Sequence, residues 1–265
     1  MKTLPLLTLT LLLTPGLASG AATAINFSGA ITTASGPGSM TATGGTTTAF
    51  NTVSGFGLTA MAGGDRTVMS FSAIPLLNAG GLQFTHATPS PNATGYTVLM
   101  DVYYSAIPNF LSLLQLDNAA DGDVFGRGSG AAGINSDYAG TTLTPNAWHR
   151  FVATVDTSLT TDFLNLYIDG SLINSVSAFG TAPNTSVNRF DLSDPSFLVF
   201  GDEDGETASG YISQFYFADR ALSVSEVAAF GGTNAAAVPE PSGCLLSLGA
   251  AAGLLARRRR PAGRM

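Results

Sequence analysis

The sequence predicts an antiparallel all-β sandwich with one short helix near its C-terminal end, and three observations predict it. Only 11% of the residues are charged, too few to cover the outer faces of long solvent-facing helices. Short apolar runs recur in which successive side chains alternate between two faces, the period-two signature of strands. Glycine (31 residues) and proline (13 residues), with Asn and Asp, fall between those runs as turns, and no helical segments alternate with the strands as they would in a parallel sheet.

Taken in order, residues 25–64 are Thr, Ala, Ser and Gly in short alternations, with Phe27, Ile31, Phe50, Val53, Phe56 and Leu58 as sparse apolar points. The stretch reads as a flexible spacer or as weak edge strands, and its scattered aromatics favour strands. From Val68 the pattern hardens into strands over Val68 to Phe71, Leu82 to His86, Tyr96 to Tyr104, Phe110 to Leu116 and Trp148 to Val155. Further strands follow over Phe163 to Ile168, Leu172 to Val176, Phe197 to Phe200 and Tyr211 to Ala218. In the third of these, Val98, Met100, Val102 and Tyr104 share one face, and Thr97, Leu99, Asp101 and Tyr103 share the other, expected to be wetter. Asp169-Gly170 suits a two-residue hairpin, because both positions tolerate the positive φ such a turn requires. Ser223 and Glu226 form a capping box, Leu222 and Val227 a hydrophobic staple across it, and Gly231-Gly232 a stop, predicting about two turns of helix. One domain over 25–232, with a linker at 233–237, is the economical division.

The two ends differ from the body. Lys2, the apolar run Leu4 to Leu13, then Pro15, Gly16 and small residues have the zones of a secretory signal peptide over 1–24, with cleavage after Gly20 or Ala24. At the other end, Pro239, Glu240 and Pro241 precede an apolar helical segment, Gly243 to Ala256, and then Arg257, Arg258, Arg259 and Arg260. At 1.5 Å per residue that helix spans roughly 21 Å, short of the roughly 30 Å hydrocarbon core, so it is a marginal anchor. The arginines favour the cytoplasmic side. Residues 238–265 resemble the PEP-CTERM sorting signal. The resemblance implies recognition by an exosortase-type processing enzyme, at least transient membrane contact through the tail, and residence at the cell surface or in the extracellular matrix.

Between Lys2 and the terminal arginines, only Arg66, Arg127, Arg150, Arg189 and Arg220 stand against every one of the 18 acids except Glu240. Such a body repels polyanions, which excludes a nucleic-acid partner. The single cysteine, Cys244, lies in the tail, so neither disulfides nor a thiolate-ligated zinc stabilise the body.

Trp148-His149-Arg150-Phe151 through Asp156, followed by Leu164-Asn165-Leu166-Tyr167-Ile168-Asp169-Gly170, resembles the hallmark of the laminin G-like, concanavalin A-like jelly roll. Trp148, Tyr167, Asp169 and Gly170 carry that match. The closing stretch Gly210 to Ser213, Asp219 to Ser223 and Glu226 is similar to the same family's last strand and helix. The resemblance runs from about Tyr96 to Gly231. It implies a concanavalin A-like sandwich but leaves the ligand open, since one fold hosts lectins, adhesion modules and glycosidases.

Asp202, Asp204 and Glu206 place carboxylates at alternate positions of an extended loop, where they could share a hard cation such as Ca²⁺. Asp117, Asp121 and Asp123 form a second acidic loop with similar chemistry, and neither has the twelve-residue EF-hand pattern. Laminin G-like domains often bind calcium at the sandwich rim, so the resemblance makes Ca²⁺ the candidate cofactor; the bland alternative is solvated turn acids. The alternate acids also resemble the Glu-x-Asp-x-Glu strand of laminarinase-type glycosidases. Asp202 replaces the first Glu, however, and Gly205 interrupts what should be a rigid strand, against the precision that chemistry needs.

His149 reads as structural, no Gly-x-Ser-x-Gly elbow is present, and Gly128 to Gly133 spells Gly-x-Gly-x-x-Gly without a following helix. Tyr103, Tyr104, Tyr138 and Tyr211 are candidate sugar-stacking rings. No catalytic residue is assigned. The reading is an exported, non-catalytic jelly-roll module that binds an extracellular polysaccharide or another surface component; the alternatives are a secreted glycosidase or polysaccharide lyase, and a purely structural matrix protein.

Overall fold

The structure, a computed structural model, describes residues 22–61, 63–74, 80–86, 94–116, 124–134, 137–177, 190, 192, 194–202 and 205–233. The described strands are β1 (Ala22–Asn26), β2 (Thr32–Ser35), β3 (Ser39–Thr43), β4 (Thr48–Thr52), β5 (Thr67–Phe71), β6 (Gly81–Thr85), β7 (Gly95–Tyr103) and β8 (Leu111–Leu114). They continue as β9 (Val124–Gly126), β10 (Ala132–Ile134), β11 (Asp137–Ala139), β12 (Trp148–Asp156), β13 (Leu164–Ile168), β14 (Ser171–Val176), β15 (Ser196–Val199) and β16 (Gly210–Ala218), and the helix α1 is Val224–Phe230.

All strand pairs are antiparallel. One layer is a nine-stranded sheet that runs β14-β13-β12-β7-β16-β1-β2, with β5 also on β16 and β4 outside β5. The other layer joins a three-stranded sheet, β15-β6-β3, to a four-stranded one, β11-β10-β9-β8. Their join is a single bridge in which Gln115 and Leu198 exchange backbone hydrogen bonds at 2.9 and 2.8 Å. Between the layers lies one core, with Val98, Met100 and Val102 from β7 and Tyr104 just past its end meeting Leu82, Phe84, Leu113, Val124 and Phe197 from the opposite layer. This is a jelly-roll sandwich, and every strand expected from Val68 onward forms within two residues of its expected ends. The Thr- and Ala-rich beginning is strand, not spacer: β1 to β4 all lie in or next to it.

One expectation is corrected. Thr97, Leu99 and Asp101 are fully buried and Tyr103 is 4% exposed, so the second face of β7 is not wet. Leu99 packs with Val152, Tyr167, Leu222 and Val227 beneath α1, and Tyr103 packs with Trp148, Val68, Val53 and Met61 beneath the 53–61 segment. Alternation shows which side chains share a face; it carries no information about what a distant segment later lays over that face. Gly128 to Gly133 spans the turn between β9 and β10, and its last two residues, Ala132 and Gly133, already pair in β10. Gly133 is required there because a Cβ would collide with the Asp137 carbonyl of β11.

Local signals otherwise held. Asp169 and Gly170 turn at φ 52° and 79°, and Ser223 and Glu226 cap α1 reciprocally. The expected tail helix and its Pro239, Glu240, Pro241 and Arg257 to Arg260 lie outside the described residues, as do the leader and the linker from 234. Among the described residues no helix is long and apolar enough to cross a membrane.

Candidate functional site

A groove of about 680 Å³ opens at one rim of the sandwich, where the start of β4, the end of β5, the turn after β7 and the approach to β16 meet. Its walls are rich in hydroxyls, including Ser72, Ser105 and Ser209, with Phe71 and Tyr211 as the aromatic surfaces. The hydroxyls are positioned by backbone amides: Thr47 N donates to Ser72 Oγ and Ala73 N donates to Ser209 Oγ, both at 3.0 Å. A hydroxyl that accepts in this way keeps its own hydrogen to donate. Tyr211 is held by its neighbours, edge-on to Tyr103 at 5.8 Å and tilted against Phe56 at 5.1 Å, while Tyr103 leans on Trp148 at 5.4 Å. The hallmark Trp148 therefore supports a rim tyrosine through one intervening ring.

The acidic turn adjoins this groove. Ile74 N donates to Thr207 Oγ1 at 2.9 Å, and Ser112 N donates to the Glu206 carbonyl at 2.8 Å, which anchors the turn to β8. Asp202 is 1% exposed, and its Oδ2 accepts the Glu206 backbone N–H at 2.8 Å. The carboxylate thus closes its own turn, and the Glu206 side chain is half-buried. Asp204, Asp117, Asp121 and Asp123 lie outside the described residues, and among the described residues no three His, Cys, Asp or Glu side chains gather around a common point. Asp202 and Glu206 alone do not fit calcium, which takes six to eight oxygens.

The other hallmark residues build a polar network that runs from the exposed Asp169 to the buried Asp101 and Arg150. His149 Nδ1 meets Asp169 Oδ2 at 2.9 Å, while Asp169 Oδ1 accepts the Arg150 backbone N–H at 2.8 Å. Burial raises the Asp169 pKa, but the hydrogen bonds from His149 and the Arg150 amide, with the nearby charges, outweigh it and hold the carboxyl below its usual value. Arg150 Nε and Nη2 form a fork on Asp101 at 2.7 and 2.8 Å, and Nη1 donates to the Phe230 carbonyl at 2.6 Å. Trp148 and Asp169 also line a smaller cleft of about 370 Å³ with Met61 and Thr233.

Of the four tyrosines considered for sugar stacking, Tyr103 and Tyr104 are buried, whereas Tyr138 and Tyr211 are half-buried. Sequence reasoning missed Asp101 and Arg150 as a pair. The available signal was one lone acid and one lone base, each inside an otherwise apolar strand. It also missed the serines of the groove, which have no pattern in sequence because three separate chain segments supply them.

A family model described as the concanavalin A-like lectin/glucanases superfamily matches residues 81–228. No curated protein matches the chain in sequence. Among solved structures, one concerns botulinum neurotoxin type C, whose uptake by cells depends upon interaction with two ganglioside molecules. It is 11% identical, with 80% of this chain and 50% of that chain covered and a TM-score of 0.50. The binding domain of Paraclostridial Mosquitocidal Protein 1 is 15% identical over 80% of this chain and 51% of that one, at a TM-score of 0.49. A Trypanosoma rangeli sialidase is 15% identical over 68% and 32%, at 0.41. The chain spans about half the length of the first of these structures. At such identities the likeness is one of fold.

Proposed function

Because the chain belongs to the concanavalin A-like lectin/glucanase superfamily, we propose that it is a carbohydrate-binding module without catalytic activity, its site the rim groove at Tyr211. The observation that carries this reading is the combination of a supported aromatic ring with amide-anchored hydroxyls in one groove. A pyranose presents an apolar face, which stacks on a ring, and a rim of hydroxyls, which exchange hydrogen bonds with Ser and Thr. A neutral or weakly charged polysaccharide suits a chain of net charge −7, which repels polyanions at long range. The two ends of the sequence support the rest of the reading: export by the leader, then sorting to the surface by an exosortase-type enzyme that acts on the Pro239-Glu240-Pro241 tail.

Ala106 is exposed and lines the groove, so Ala106→Trp fills it without removing any packing. The expected outcome is that the wild-type chain binds neutral oligosaccharides in a glycan array, and that Ala106→Trp loses at least tenfold in affinity at an unchanged thermal midpoint. Binding that ignores Ala106→Trp rejects the groove, and release of reducing ends from the bound glycan would make the chain a glycosidase instead. Calcium enters this reading only through Asp204 and the 117–123 loop. A midpoint raised by millimolar calcium over EDTA, as mass action requires of a ligand selective for the folded state, assigns the ion, and an unchanged midpoint removes it.

A further inference from the structure

Arg127, just past β9, occupies a corner between two aromatic rings on the outer side of the four-stranded sheet. Its guanidinium carbon lies 3.8 Å from the centroid of Tyr138 and 4.5 Å from that of Phe110. The two rings are 6.4 Å apart and inclined at 67°, so they form a corner and not parallel plates. Phe125, 4% exposed, closes the floor with its ring 6.3 Å from Phe110. The arginine's Nε is buried and has no hydrogen-bond partner, and among the described residues no carboxylate or carbonyl meets its guanidinium. By contrast, Arg150 is forked on Asp101 and Arg220 on Glu226. In a body this acidic, an arginine held against two rings and, among the described residues, hydrogen-bonded to no carboxylate is left with unused donors.

The corner adjoins the groove. Segment 105–110 lines the groove at Ser105 and Ala106 and supplies Phe110 at its other end. A Cβ on Gly128, beyond Arg127, would lie 3.1 Å from the Ile107 carbonyl, so the turn after β9 rests on that same segment. Five residues of extended chain reach at most about 18 Å, a span that a short oligosaccharide can cover.

We infer that Arg127, Phe110 and Tyr138 form a subsite for a carboxylate-bearing sugar, a uronic acid unit in an otherwise neutral chain seated in the groove. The inference rests on the carbohydrate-binding reading for its ligand class. A planar guanidinium matches a carboxylate in a two-pronged geometry that an ammonium does not. The rings hold it in place, reducing the side-chain entropy lost on binding. Repulsion from the acidic body is screened beyond about 8 Å at physiological salt, whereas the contact with Arg127 is short-range. The site therefore selects one carboxylate at close quarters over a polyanion at a distance.

The test compares a galactotriose in which one unit is replaced by galacturonate with plain galactotriose on the full chain by calorimetry at about 0.15 M salt, with Arg127→Met, Arg127→Lys and Ala106→Trp alongside. Arg127→Met keeps an apolar side chain against the rings and removes the charge. The wild type should bind the singly charged trisaccharide about tenfold more tightly than galactotriose, the scale of one charge-assisted hydrogen-bonded contact. That preference should vanish in Arg127→Met at an unchanged thermal midpoint and shrink in Arg127→Lys. Equal affinity for the two sugars, a preference that survives in Arg127→Met, or no binding of either sugar overturns the inference. Should Arg127→Met fail to fold, a full preference in Arg127→Lys overturns it as well. If galactotriose binding ignores Ala106→Trp while the uronate preference still depends on Arg127, the groove reading fails and the arginine subsite stands.

Discussion

Arg150 is the largest of the described side chains that are buried to below 2% exposure, and it shows how costly a residue this fold tolerates. Removing a guanidinium from water costs several kcal/mol unless its hydrogens are matched. Here three are: two by the Asp101 carboxylate and one by the Phe230 carbonyl. Asp101 and Arg150 sit directly opposite each other on β7 and β12, so register alone brings them together. Asp101→Asn leaves the cation buried with an amide facing it, and the expected loss is about 3–5 kcal/mol in denaturant unfolding. The double change Asp101→Leu with Arg150→Met should recover part of that loss, because two apolar side chains need no partner. A loss below about 1 kcal/mol for Asp101→Asn, the level of an exposed pair, would show that the pair is not desolvated as described. Each charge interrupts a largely apolar strand in the sequence, but their pairing was not legible, since no local pattern specifies which strand lies beside which.

The helix α1, with seven residues, is too short to persist in water on its own. Its start was readable because a capping box and a staple are local: Ser223 Oγ accepts from Glu226 N, and Leu222 and Val227 share one buried cluster. Its end was readable from Gly231, which takes φ 60°. What the sequence did not indicate is that Arg150, eighty residues away, donates to the Phe230 carbonyl and ties the helix to the sheet. Glu226 is pulled down to about 2, first by its hydrogen bonds from Arg220 and then, against the opposing effect of burial, by the Ser223 amide and hydroxyl. A carboxyl whose folded pKa lies below its unfolded value of 4.5 stabilises the fold fully above that unfolded value. The contribution is lost as pH falls toward about 2. The thermal midpoints of wild type and Glu226→Gln should therefore differ at pH 6 and converge on acidification. A gap that stays constant down to about pH 2 would contradict the assignment of this carboxylate as the titrating group.

At the scale of the molecule, the chain's beginning closes the structure. β1 pairs with β16 on one side and β2 on the other, and Thr23 Oγ1 accepts the Gly38 amide at 3.0 Å. Of the two cleavage positions open to a secretory leader, the one after Ala24 would remove the Ala22, Thr23 and Ala24 rungs of the β1–β16 ladder. The one after Gly20 spares them. If the chain is exported as proposed, the intact mass of the secreted protein should place its first residue at Ala21, and a chain that begins at Ile25 would count against this account. The longer strands from Val68 onward (though not the three-residue β9, β10 and β11), the Asp169-Gly170 turn and the capped helix were set by the sequence itself, because period-two alternation, positive-φ residues and capping side chains act over a few neighbouring residues. The tertiary structure decided the rest: that both faces of β7 are covered, that Asp202 turns inward onto the Glu206 amide, and that Ser72, Ser105 and Ser209 line one groove beside Tyr211. The first and last join segments far apart along the chain, and the four-residue Asp202 turn is tied to a distant segment by the Ser112 amide on the Glu206 carbonyl; burial and hydrogen bonding between such segments exist only after the two layers have closed on each other.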